Sequence, residues 1–168
     1  MYRGKNEATA LLFPMDNLFE KYISKEMATA VADKWILSDQ DVGEHLFKNK
    51  KFPLRPDIVL RKKPVFDKNE CEKIIIDTKW KRLYNEPRNN YGISQADMYQ
   101  MYAYHTRYKS VKKVIILYPY YTDIKPEDYI TDVGDTKITI QIRFFDLRRY
   151  IDGGKSFQSC IFPNDDNF

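Results

Sequence analysis

Cysteine and histidine are scarce in this 168-residue chain, with two of each: Cys71, Cys160, His45 and His105. Neither pair has the spacing of a zinc site, and an iron–sulfur cluster needing four cysteines is excluded. No apolar run approaches the roughly 20 residues of a membrane span. The opening "MYRGKNEATA" lacks the apolar stretch of a signal peptide. There are no internal repeats and no low-complexity linker. These absences point to a reducing, cytoplasmic setting without a membrane partner. They leave no reason to divide the chain, so residues 1–168 are expected to form a single domain long enough to bury a core of its own.

What is present is charge and apolar character in balance: 43% hydrophobic and 31% charged residues, with a net charge of +4. Basic clusters recur at Lys48 to Lys51, Arg61 to Lys63, Lys79 to Arg82, Arg107 to Lys113 and Arg148-Arg149. Such clusters permit a nucleic-acid partner without requiring one, because most charge runs are solvated faces.

The patterning reads as α/β. "FPMDNLFEKYISKEMATAVADK" is a first helix with Leu18, Phe19, Tyr22, Ile23, Ala30 and Val31 on one stripe; Asn17 and Glu20 suggest a capping box after Pro14. "KWILSD" and "EHLFKNK" are short candidate strands. "LRPDIVLRKK" and "KIIIDTKWKR" are strands joined by the polar turn "PVFDKNE", hence an antiparallel pair. After the loop "LYNEPRNNYG", Ser94 and Asp97 mark the start of a second helix, "SQADMYQMYAYHTRY". "KKVIILYPY" is apolar throughout, as a strand covered on both faces must be. "TKITIQIRFFDL" alternates Ile138, Ile140 and Ile142 with polar neighbours, as a strand with one wet face does. The expectation is a mixed β-sheet flanked by helices.

Two of these strands carry charge where apolar residues belong. Alternate side chains share a strand face, so Ile75, Asp77 and Lys79 point one way, and an antiparallel neighbour brings Asp57 alongside. Two close carboxylates repel unless a cation sits between them. Oxygen ligands of this kind suit Mg²⁺ (or Mn²⁺), which takes the rest of its shell from water and phosphate. A neighbouring lysine can hold or help deprotonate an attacking water and offset charge on a phosphorane-like transition state. Metal-assisted phosphodiester hydrolysis is the chemistry these groups fit. Against it, Pro-Asp is ordinary turn chemistry, and an exposed Asp-x-Lys pair can be a surface ion contact worth little.

The ordered blocks "RPDIVL", "IIIDTKWK", "SQADMYQMYAY" and "VIILYP" resemble the nuclease domain of McrC, the cleavage subunit of the McrBC 5-methylcytosine restriction system, over roughly residues 15–120. That domain belongs to the PD-(D/E)XK superfamily. The resemblance implies a restriction-endonuclease-like core and a divalent-metal endonuclease acting on DNA. It implies metal ligation by Asp57 and Asp77, with Thr78 and Glu20 at the same metal, and a catalytic role for Lys79. A Gln-x-x-x-Tyr motif of the RecB-like branch is matched by Gln100 and Tyr104, and its spacing is repeated by Gln95 and Tyr99. Trp80 and Lys81 are candidates for the DNA backbone, with Trp80 equally suited to the core. A McrB-like AAA+ GTPase is the partner implied. The chain starts almost at the first nuclease helix, so the family's N-terminal motor-binding region is expected to be absent. "GGKS" at 153–156 resembles the end of a phosphate-binding loop, but Arg149 replaces its first glycine, and no nucleotide is expected to bind. Other readings stay open: a stand-alone or RecB-like PD-(D/E)XK nuclease of DNA repair or of another restriction system, or a non-catalytic DNA-binding module on this fold.

Overall fold

The run "KIIIDT" offers apolar side chains to both sides of a strand, and the fold answers with a helix on each. The computed structural model describes residues 13–64, 71–121, 124, 128–148, 157, 159 and 162. In chain order these form α1 (Met15–Ala30), β1 (Trp35–Asp39), β2 (Ile58–Lys62), β3 (Lys73–Thr78), a 3-10 helix (Pro87–Gly92), α2 (Gln95–Arg107), β4 (Val111–Pro119), β5 (Asp128–Val133) and β6 (Thr136–Phe145). The strands make one sheet in the order β1-β2-β3-β4-β6-β5. The β1–β2, β2–β3 and β5–β6 pairs are antiparallel, whereas β3–β4 and β4–β6 are parallel. The sheet is therefore mixed and flanked by helices, as the patterning implied. Among the described residues no helix is long and apolar enough to cross a membrane.

Each sheet face has its own core. Ile58, Leu60, Ile74, Ile76, Ile115 and Leu117 pack with Phe19, Ile23 and Met27 of α1. Val59, Ile75, Val114, Ile116 and Ile140 pack with Met101 and Tyr104 of α2. Covering both faces explains why β4 is apolar at every position from Val114 onward, and it is buried from Lys113 to Pro119. Each fully buried Ile or Leu contributes about 1.5–3 kcal/mol relative to exposure.

The start of α2 is set by a reciprocal cap. The Ser94 hydroxyl accepts from Asp97 N–H at 3.1 Å, and Asp97 Oδ2 accepts from Ser94 N–H at 3.4 Å, giving both groups a partner at a helix end. The box expected at Asn17 and Glu20 does not form, because α1 begins earlier, after Pro14, and has no side-chain cap. Leu18 is half exposed rather than buried; the α1 stripe is Phe19, Ile23, Ser24 and Met27. "EHLFKNK" is not a strand, since left-handed backbone at Lys50 and Phe52 folds it into a tight hairpin with one isolated bridge, His45 to Pro53. The loop after Tyr84 contains the 3-10 helix. In β6 the wet face is incomplete, with Gln141 8% exposed. The edge strand β5 was not expected; it turns into β6 through Gly134, whose φ of +59° suits glycine. The "PVFDKNE" turn lies mostly, and "GGKS" wholly, outside the described residues.

Candidate active site

β2 and β3 run antiparallel with Ile58 opposite Ile76, so Asp57, one residue before β2, lies next to the C-terminal end of β3. Val59, Ile75 and the side chains two residues away from them share the α2 face. Asp57, Asp77 and Lys79 therefore meet where the sheet ends beneath α2. Asp57 Oδ2 accepts two hydrogen bonds from Thr78, 2.7 Å from its N–H and 2.8 Å from its hydroxyl. Lys79 is tied through its N–H to the Leu117 carbonyl of β4 at 3.0 Å, so the neighbouring strand fixes its backbone.

Asp77 is 1% exposed. Its Oδ2 stands 2.5 Å from Lys79 Nζ as an ion pair, the one polar partner it has among the described residues. Burial, then the nearby Asp57 charge, pushes its carboxyl up to about 7, with Lys79 pulling the other way. For Lys79, burial works against the charge, but Asp77, with Asp57 and Asp97 behind it, outweighs burial and holds the ammonium above the usual lysine value. A buried carboxylate beside a second carboxylate is a donor set that a divalent cation fits. Mg²⁺ commonly takes one or two protein carboxylates and completes its shell with water and phosphate. Among the described residues no three acidic, histidine or cysteine side chains come together to hold a metal ion, so Glu20 is not grouped with Asp57 and Asp77.

α2 supplies a directional chain of hydrogen bonds to the lysine. Lys79 Nζ donates to Gln100 Oε1 at 3.2 Å, Gln100 Nε2 donates to the Tyr104 hydroxyl at 2.8 Å, and that hydroxyl donates to the Arg55 carbonyl at 3.0 Å. Residues four apart share a helix face, which is why one amide can touch both its neighbours. Burial, with Asp77 and Asp57 nearby, raises the Tyr104 hydroxyl far above its ordinary value, so it remains a donor. Gln95 and Tyr99 pair with each other at 2.6 Å on the exposed side of α2, where Tyr99 is 65% exposed. Of the two Gln-x-x-x-Tyr matches, only Gln100 and Tyr104 join the carboxylates and lysine.

Glu20 lies at the margin, its Oε1 accepting from Gln40 Nε2 at 2.9 Å. Gln40 was not singled out from the sequence. Its N–H donates to the Asp57 carbonyl at 2.9 Å and its φ is +44°, so it bridges α1 and the site from a strained turn. No local motif announces that role. Trp80 packs against Phe19 (5.4 Å between ring centroids) and Tyr121 (6.2 Å), on the core side of its two readings. Of the basic segments, Arg61 faces Asp41, Lys62 faces Glu72 and Lys81 faces Asp97 at 4.0 Å.

A family model described as McrBC 5-methylcytosine restriction system component matches residues 1–119, a span that includes every residue of this site. No curated protein matches the chain.

Proposed function

The chain belongs to the McrBC 5-methylcytosine restriction system component family, and from that premise we propose that it is the cleavage component, a Mg²⁺- or Mn²⁺-dependent DNA endonuclease on a PD-(D/E)XK core. The observation that carries this reading is the meeting of Asp57, Asp77 and Lys79 at one sheet end, with Lys79 aimed by Gln100. Hydrolysis joins a water oxygen to phosphorus and breaks the bond from phosphorus to one deoxyribose oxygen, which leaves as a hydroxyl carrying a proton. Asp57 and Asp77 would hold the metal, whose chemistry is to polarise the phosphoryl group and acidify bound water. Thr78 orients Asp57 through two hydrogen bonds, leaving the carboxylate's other oxygen for a ligand. Glu20 would join the metal shell by exchanging its bond to Gln40. The Lys79 ammonium, fixed by Asp77 and Gln100, orients the attacking water and offsets negative charge on the pentacovalent transition state. The Gln100–Tyr104–Arg55 chain keeps that ammonium from swinging into solvent.

The family further supports a partner subunit, and we take this to be an AAA+ GTPase that selects the DNA. Supercoiled plasmid incubated with Mg²⁺, with and without such a GTPase, should be cut, and EDTA should stop it. Nicking by the Asp77→Ala variant at the parental rate would remove the basis of this reading. Cutting that needs no GTPase would favour a stand-alone nuclease.

A further inference from the structure

Between β1 and β2 the chain does not turn directly but builds a small hairpin over residues 44–54. Leu46 N–H donates to the Phe52 carbonyl and Leu54 N–H to the Glu44 carbonyl, each at 2.9 Å, and Lys50 N–H closes the tip on the Phe47 carbonyl at 3.1 Å. Phe47 and Phe52 are 53% and 67% exposed and meet edge to face at 5.8 Å. Phe52 has a φ of +56° and Lys50 of +58°. A bulky aromatic side chain is disfavoured in that region, and an exposed one recovers nothing through burial. The fold gains no stability from displaying Phe52 this way.

The charge around the pair is mostly positive. The hairpin holds Lys48, Lys50 and Lys51, with Arg55 just after it, and its one carboxylate, Glu44, sits at the base, away from the tip. All four cations are exposed, and none has an ion-pair partner among the described residues, unlike Arg61, Lys62 and Lys81. The hairpin is braced against the helix that carries Gln100: Arg107 Nε donates to the His45 carbonyl and the Tyr104 hydroxyl to the Arg55 carbonyl, both at 3.0 Å. Phe52 precedes Asp57 by five residues, which bounds their separation at about 18 Å. Unpaired lysines flanking exposed aromatic faces suit a phosphate backbone with bases to stack on. Lysine is depleted at protein–protein interfaces, so a protein partner matches this surface less well.

We propose that this hairpin is a DNA wedge: its lysines grip phosphates of the duplex, and Phe47 and Phe52 press between bases beside the bond to be cut. The inference rests on the nuclease reading and adds how the duplex is gripped and distorted. The test uses the full chain in EDTA, which prevents cleavage, and a duplex carrying 2-aminopurine, whose fluorescence rises when it unstacks. Wild type should bind and raise the signal. Phe47→Ser/Phe52→Ser should bind about tenfold or more weakly, with no rise and an unchanged salt slope. Phe47→Leu/Phe52→Leu, which keeps apolar bulk but loses the aromatic face, should bind more weakly than wild type and keep a reduced rise. Lys48→Ala/Lys50→Ala/Lys51→Ala should reduce the slope of log affinity against log salt by about 2–3. Calorimetric Mg²⁺ binding should be unchanged in all three variants. Phenylalanine variants that bind and unstack like wild type overturn the wedge, while Mg²⁺ binding lost only on Asp77→Ala would leave the nuclease reading standing. A wild type that binds no duplex overturns the wedge. So do phenylalanine variants that keep DNA binding but lose a GTPase partner, which would make the surface a protein dock.

Discussion

Replacing Asp77 with asparagine separates what the fold wants from what the chemistry wants. The carboxyl is buried, and ionising it in the native protein is opposed first by desolvation and then by Asp57, which lifts it from an ordinary 3.8 to about 7. That rise makes ionisation in the folded, metal-free state about 4 kcal/mol harder than in the unfolded chain, at 1.36 kcal/mol per tenfold change. Between those two pH values the native state keeps a proton that the unfolded state has released, so stability falls as pH rises. The contribution is fully present below about pH 4 and gone above about pH 7. Asparagine imitates the protonated carboxyl and cannot ionise. The Asp77→Asn variant should therefore match wild type near pH 4 and exceed it by about 4 kcal/mol at pH 8, a large part of a typical domain's 5–15 kcal/mol. In melting temperature this is roughly 8–16 °C for a domain of this size. Urea unfolding in EDTA at steps from pH 4 to pH 8 measures the difference directly. Adding Mg²⁺ at pH 8 should then stabilise wild type and leave the variant unmoved. Stability curves that stay parallel across this range would refute the assignment of a buried Asp77 carboxyl repelled by Asp57.

Lys79→Ala should abolish cleavage while metal and DNA binding stay near wild type; Lys79→Arg should also be poor, because a planar guanidinium does not fit the compact ammonium's contacts to Asp77 and Gln100. Plasmid nicking at parental rates by either variant would return Lys79 to a surface ion pair. Gln100→Ala should slow cleavage by roughly 10- to 100-fold, the usual scale for a residue that orients a site group, and cost about 1 kcal/mol of stability. Gln95→Ala should cut like wild type and melt within about 0.5 kcal/mol of it; equal losses from both variants would remove the relay from the mechanism.

The convergence of Asp57, Asp77 and Lys79 was legible because strand alternation has an invariant period of two, and one antiparallel pairing then suffices to align them. The α2 cap was legible for a similar reason: Ser94 and Asp97 satisfy orphan amides locally, with no need of the rest of the chain. The choice between Gln100–Tyr104 and Gln95–Tyr99 was not, since both pairs have helical spacing and only docking on the sheet sets the rotation of α2. The same phase ambiguity misplaced Leu18, one residue and about 100° around α1 from the truly buried Phe19. Gln40 was invisible because its partners, Glu20 and the Asp57 backbone, come together only in three dimensions. β5 was overlooked for its polar, exposed composition, although Gly134-Asp135 between Val133 and Thr136 is an ordinary two-residue hairpin signal.

The β5–β6 hairpin carries no group of the candidate site, and the family match ends at Pro119, the last residue of β4. Yet β6 pairs with β4 all along Val114–Pro119, a stretch without a single charge. A chain cut after residue 119 would turn β4 into an outer strand with a bare row of amides and carbonyls flanked by Ile115, Ile116 and Leu117, a template for further strands. The hairpin instead gives the sheet a rim bearing Asp128, Asp132 and Asp135, with Asp128 tied down by Gln141 and Arg143. Beyond the core residues Ile138, Ile140, Ile142 and Phe145 that it supplies, its contribution is colloidal: light scattering should find the cut chain in large particles under conditions where the whole chain stays dispersed, because the hairpin denies other copies a strand to add to.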